Sequence, residues 1–188
     1  KIETMADLGI FKEPDQPDFW YFKAHVELRR DNFAEAARLF QESLERLDRF
    51  TIKEVSQSHP IISNNPWRAA ELLGECLWEV DRFEESYQAY LRALKDKPNN
   101  SPKWGKVLNN TVALAIEFED EPRMMELFER LLARPDTSLE MFIFRVQQLL
   151  SRQKTEEAIK LLQWGRRRCA RLKLDPTFKS LWAEHISP

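Results

Sequence analysis

Glycine is scarce in this chain of 188 residues, with 4 in all, so few positions are made for turns that need φ > 0. Cysteine is scarcer, with 2. Cys76 and Cys169 lie far apart, which excludes a disulfide framework and favours a reducing compartment, the cytoplasm by default. Cys76 sits in an apolar-periodic stretch and reads as a small core residue. The 3 histidines, His25, His59 and His185, are isolated, and none has a second ligand at metal spacing. There is no excess of positive charge either. The 29 Lys and Arg stand against 31 Asp and Glu, a net of -2, which disfavours a general nucleic-acid binder. No signal-peptide pattern occurs, and no apolar run is long enough to span a bilayer. The chain begins at Lys1 without an initiator Met, as a processed or excised chain does. Phosphate loops, Walker motifs and dinucleotide fingerprints are all missing. The acid pairs Glu84-Glu85 and Glu156-Glu157 fall at helix starts, where the dipole favours them. No catalytic, cofactor or metal site is therefore expected, and the chain is read as not an enzyme.

What remains is a helix-forming composition. Leu, Ala, Glu, Arg and Lys are common, charge is mixed at 32%, and 12 Phe with 6 Trp exclude a disordered chain. The clearest organised stretch is WRAAELLGECLWEVDRFEESYQAYLRALKDKPNN, from Trp67 to Asn100. Ala70, Leu73, Gly74 and Leu77 share one helical stripe, Asp81-Arg82 makes a turn, and Phe83, Ser86, Tyr90, Ala93 and Leu94 form a second stripe that Pro98 stops. The order recurs upstream with Trp20, Ala24, Phe33, Ala36, Phe40 and Ser43, where Glu27 and Leu28 stand at the next bulky place. It recurs downstream with Phe142, Val146, Leu149, Ala158, Leu162 and Gly165.

These residues resemble the tetratricopeptide repeat, in which small side chains let paired helices approach and large ones fill the remaining space. The period is about 34 residues. Ser86 and Ala158 stand two such periods and one further helical turn apart. That extra turn is assigned to a degenerate third unit with Trp104, Val107, Leu108, Thr111, Ala115 and Phe118, the turn Glu119-Asp120-Glu121, Pro122 at a helix start, then Met125, Phe128, Leu131, Leu132 and a stop at Pro135. The resulting division is an N-terminal extension at 1–16, repeat 1 at 17–50, an insertion at 51–66, repeat 2 at 67–100, the degenerate repeat 3 at 101–135, repeat 4 at 136–174 and a capping helix at 175–188 opened by Asp175-Pro176. Ser101 is expected to cap the third unit, and Thr137 with Glu140 to form a capping box. Met5, Leu8, Ile10 and Phe11 are expected to pack, as a short helix over the first repeat. The resemblance implies an all-α, right-handed superhelical solenoid of antiparallel helix pairs whose first helices line a concave face.

On that geometry the concave face carries Tyr21, His25 and Arg29, then Arg68, Glu71, Glu75, Trp78 and Glu79, then Asn109 and Ala113, then Ile143, Gln147 and Leu150. Tyr21 and Trp78 are apolar anchors, and amide side chains such as Asn109 and Gln147 can pair with a peptide backbone. The family's clamp for chaperone C-terminal carboxylates is not expected to operate. Its Lys, Asn and Arg places hold Tyr21, His25, Leu72, Pro102 and Lys106. A separate basic cluster, Lys160, Arg166, Arg167, Arg168, Arg171 and Lys173, has no acid in the run. It reads either as a helix end with cations on its dipole or as a face for an acidic partner. The expected function is a scaffold or adaptor that binds a protein or peptide. The alternatives are a chaperone-like binder of secreted or unfolded clients and a regulatory domain of an enzyme outside this chain. No membrane insertion is expected, and repeat ends offer a route to self-association.

Overall fold

The computed structural model describes residues 2–49, 65–96 and 104–186. The insertion core with His59, the stop at Pro98 with Asn99-Asn100, the Ser101 cap and Pro102 lie outside these residues. Among the described residues the secondary structure is helical throughout, with no strand. The α-helices are α1 (Ile2–Lys12), α2 (Pro17–Leu28), α3 (Phe33–Arg49), α4 (Pro66–Glu79), α5 (Phe83–Asp96), α6 (Trp104–Glu117), α7 (Glu121–Ala133), α8 (Glu140–Ser151), α9 (Thr155–Arg168) and α10 (Pro176–His185), with a 3-10 turn at Ala170–Lys173. The chain divides into two compact units, Lys1–Val107 and Leu108–Pro188.

In the N-terminal unit α2 pairs with α3 and α4 with α5, α3 packs on α4, and α1 packs on α2. The pairing follows from the small residues. A Cβ on Gly74 would stand 2.7 Å from the Tyr90 ring, so the α4 backbone lies directly on an aromatic face of α5. Ser86 closes the same hairpin by donating its hydroxyl to the Gly74 carbonyl at 2.8 Å, and Ser43 donates to the Pro17 carbonyl at 2.9 Å. Both serines are fully buried, so each hydroxyl has a partner where an unpaired one would cost free energy. Ala24, Ala36, Phe40, Ala70, Tyr90 and Ala93 are buried around them. A buried ring such as Phe40 contributes about 1.5–3 kcal/mol through the water it no longer meets.

The N-terminal segment forms helix α1 and covers α2, with Gly9 seated on the Phe19 ring. Its apolar side chains do not all pack as expected. Met5, Leu8 and Phe11 are exposed, Phe11 by 85%. Ala6 and Gly9, which are buried in α1, stand one repeat period before Phe40 and Ser43.

In the C-terminal unit α9 packs on α8, on α7 and on the 3-10 turn, and α10 packs on that turn. Gly165 repeats the close approach, since a Cβ there would be 2.3 Å from Phe142. Phe128 and Phe142 meet edge to face at 5.1 Å, a favoured aromatic geometry.

The hairpin turns carry a register mark. Among the described residues Asp31, Asp81, Glu119 and Gln153 are the non-glycine residues with positive φ, between 52° and 61°. Glu119 and Gln153 stand one repeat period apart. Asp81 and Glu119 stand one period and one helical turn apart, so the extra turn lies between those two residues. Asp31 and Asp81 are further apart still, by the length of the insertion. Three local expectations are corrected. Thr137 does not cap the following helix. Its hydroxyl bonds to the Leu131 and Arg134 carbonyls and closes the preceding one, while the Ser138 hydroxyl accepts from the Glu140 N–H. Met124, not Met125, turns into the core, and Phe118 is 41% exposed. Pro66 is no loop residue but the first residue of α4, where its missing N–H costs nothing. Asp175 caps α10 as expected, accepting from the Phe178 N–H at 2.9 Å.

Candidate functional site

Helices α2 and α4 present their first-helix faces to one cavity of about 360 Å³, a size suited to ligand sites. Tyr21, Phe22 and Val26 give it an apolar floor, and His25, Arg29, Asn65 and Arg68 a polar rim. On α2 these residues fall at i, i+1, i+4, i+5 and i+8, which places them on one face. Pro17 at the start of α2 and Pro66 at the start of α4 set where those faces begin. Four residues read from the sequence as concave-face residues, Tyr21, His25, Arg29 and Arg68, therefore converge here. Phe22, Val26 and Asn65 escape the sequence reading. Phe22 and Val26 each follow a nominated residue by one position, and that widening of the stripe is the signal that could have found them.

The site is rigid at its floor and exposed at its rim. Tyr21 is only 5% exposed, and its ring meets His25 at 4.6 Å and Phe40 at 5.7 Å, both edge-on. Burial raises the Tyr21 phenol above its ordinary value, against Arg68, which is hydrogen-bonded to it. Burial, then the Arg68 and Arg29 cations, push His25 below the ordinary histidine value, so its ring is neutral near pH 7. Arg29 and Arg68 are exposed. Among the described residues no carboxylate lines the cavity. Glu71 and Asp18 act on the Tyr21 hydroxyl but are themselves buried.

The other nominated residues go elsewhere. Glu71 is buried and offers no surface. Glu75 is held by Lys106 at 2.8 Å, and Trp78 lies half-buried with its ring edge-on to Phe83 at 5.6 Å. Asn109 Oδ1 is buried without a hydrogen-bond partner among the described residues. Gln147 is exposed, whereas Ile143 is buried.

The basic run does not form one patch. Arg171 is spent on the backbone, donating to the Thr137 carbonyl at 2.9 Å, the Pro135 carbonyl at 3.2 Å and the Arg134 carbonyl. Arg168 lies over the Trp164 ring and pairs with Glu129 at 3.0 Å. Arg166 lies over Trp182 at 3.9 Å and shares a small cavity of about 110 Å³ with Lys173 and Lys179. Lys160 and Arg167 rim a different cavity, of about 510 Å³, floored by Met124, Met125, Leu149, Leu161 and Trp164 and rimmed also by Glu121 and Glu157.

Neither cysteine suits nucleophilic chemistry. Both are free and buried, and burial pushes the Cys76 thiol up to about 12, far from the thiolate that reacts. Among the described residues no three His, Cys, Asp or Glu side chains are grouped to hold a metal, and no helix is long and apolar enough to cross a membrane.

Residues 6–50 match the tetratricopeptide repeat family. Over that segment the chain is similar to a tetratricopeptide repeat. The match begins inside the segment that the sequence reading set apart as an extension, so it takes in α1 from Ala6, all of α2 and α3, and the floor of the cavity. Beyond residue 50 the tetratricopeptide-like character rests on the hairpins themselves, with Gly74 on Tyr90 and Gly165 on Phe142. The fold is an all-helical repeat fold of this type, a class that typically mediates protein–protein interaction without catalysis. No curated protein matches the chain.

Proposed function

We propose that this chain is a scaffold or adaptor module that holds a protein or peptide partner against the α2–α4 cavity and performs no chemistry itself. The observation that carries the reading is convergence. An apolar floor and a polar rim, contributed by two helices that α3 and the insertion separate in sequence, meet in one concave site with rigid aromatic side chains beneath it. Rigid aromatic anchors with a few polar groups around them are how binding sites gain affinity at low entropic cost. The two buried free thiols fit a reducing setting such as the cytoplasm.

The test is affinity capture with the immobilised chain, comparing wild type with Val26→Lys, which charges the cavity floor, and with Lys160→Ser/Arg167→Ser, which alters the second cavity. A folded partner held by wild type and by the double variant, and lost with Val26→Lys, is the expected result. Loss with the double variant alone moves the binding face to the C-terminal unit. A chain that instead keeps an aggregating client in solution, with no folded partner, is a chaperone-like binder and not a scaffold.

A further inference from the structure

The α2–α4 cavity is chemically one-sided. Its charged rim groups, Arg29 and Arg68, are both cations, and the His25 ring feels both. The remaining polar groups are an amide, a phenol and a neutral imidazole. The apolar part of the wall, Tyr21, Phe22 and Val26, belongs to a single helix face. A basic occupant would meet two like charges, with no acid among the described lining residues to offset them. A purely apolar occupant would cover the floor but would strip water from guanidinium groups without replacing it, which costs free energy.

From this we infer that the occupant is an acidic peptide segment. One carboxylate side chain pairs with Arg29 and Arg68, and a neighbouring aromatic or branched aliphatic side chain lies on Tyr21, Phe22 and Val26. This deepens the function proposed above and rests on the cavity being the binding face. Arginine suits the role because its planar fork donates two parallel hydrogen bonds to a carboxylate. Arg68 already serves the Tyr21 hydroxyl, yet a guanidinium has five N–H donors, so the bond to Tyr21 orients the fork without exhausting it. Arg29, one turn beyond His25 on the same face, supplies the second cation. The site differs from the chaperone-tail clamp described for the family, because neither Arg29 nor Arg68 stands at a clamp place.

The experiment is selection of a random, unphosphorylated displayed-peptide library on the immobilised chain, with wild type, Arg29→Ser/Arg68→Ser and Val26→Lys in parallel. Circular dichroism checks that each variant keeps its helices. Both arginines are exposed, so the double variant is expected to fold. The inference requires that wild type enrich Asp or Glu next to an aromatic or branched aliphatic residue. Selected peptides should then bind about ten-fold more weakly for each arginine removed and weaken with added salt. Enrichment of neutral or basic sequences that is lost with Val26→Lys and indifferent to the arginines overturns the acidic occupant and leaves the cavity as the binding face. Enrichment unchanged by all three substitutions overturns both.

Discussion

The two units are built from the same helix hairpin, yet their cavities are opposite in kind. The N-terminal cavity lies between first helices and has arginines at its rim and, among the described residues, no carboxylate. The C-terminal one is lined mainly by the second helices α7 and α9. There Glu121 and Glu157 stand beside Lys160 and Arg167 around a methionine-rich floor. The arginines differ in employment as much as in number. In the C-terminal unit the buried Arg145 pairs with Glu121 at 2.9 Å, Arg168 pairs with Glu129 and Arg171 holds backbone carbonyls. A dense run of cations in a sequence can thus be mostly structural, while two arginines far apart in the chain, Arg29 and Arg68, line one open site. What separates them is whether nearby backbone or acids already use the donors.

The strongest challenge to the shared hairpin design is at its closest contacts. Alanine in a helix interior normally gains about 1 kcal/mol over glycine. Here Gly165→Ala should instead cost about 3 kcal/mol and Gly74→Ala about 2, within the range for overpacked cores, because the new Cβ meets Phe142 at 2.3 Å and Tyr90 at 2.7 Å. Urea unfolding of each variant measures this, and a gain in either would show that the rings move aside. The difference in arginine employment is tested next. Arg171→Ala should lower stability by about 2 kcal/mol, as expected for hydrogen bonds from a charged donor, whereas Arg29→Ser should stay within about 0.5 kcal/mol, as exposed positions do, and Arg68→Ser should cost about 1 kcal/mol through its single bond to Tyr21. Equal losses at all three would erase the distinction between the two units. The smallest expected effect is the titration of His25. Its folded value is depressed by burial and by Arg68 and Arg29, so the unfolded chain takes up the proton first. Stability is then full above the ordinary histidine value and declines as pH falls through it toward the folded value. His25→Gln should flatten that limb of a stability–pH curve, and an unchanged slope would assign the acid sensitivity to another group.

The part of the fold legible in the sequence is the part set by local spacing. Gly74, Ser86, Ala93, Ser43 and Gly165 are readable as close-approach residues because helical periodicity alone puts them on packed faces, and all five are buried. The residues misread are those whose place depends on distant segments. Glu71 lies on the same face as Glu75, but it is buried with Tyr21 beside it. Arg171 reads as surface charge, yet its carbonyl partners lie a whole repeat upstream, at Arg134, Pro135 and Thr137. Arg145, only 3% exposed, gives no signal, since a single arginine in an apolar stripe reads as a solvated position until Glu121 is placed against it. In the candidate site the stripe on α2 is legible and its pairing with Arg68 across the insertion is not, because no periodicity crosses that stretch.

The left-handed residues at Asp31, Asp81, Glu119 and Gln153 bear on how the chain reaches its folded state. Each reverses the backbone over a short stretch, so a helix finds its partner after closing a very short loop, and little chain entropy is lost before the first contacts form. Any hairpin can therefore nucleate, and its neighbours add onto the face it exposes. A protein made this way acquires structure quickly from nearby contacts.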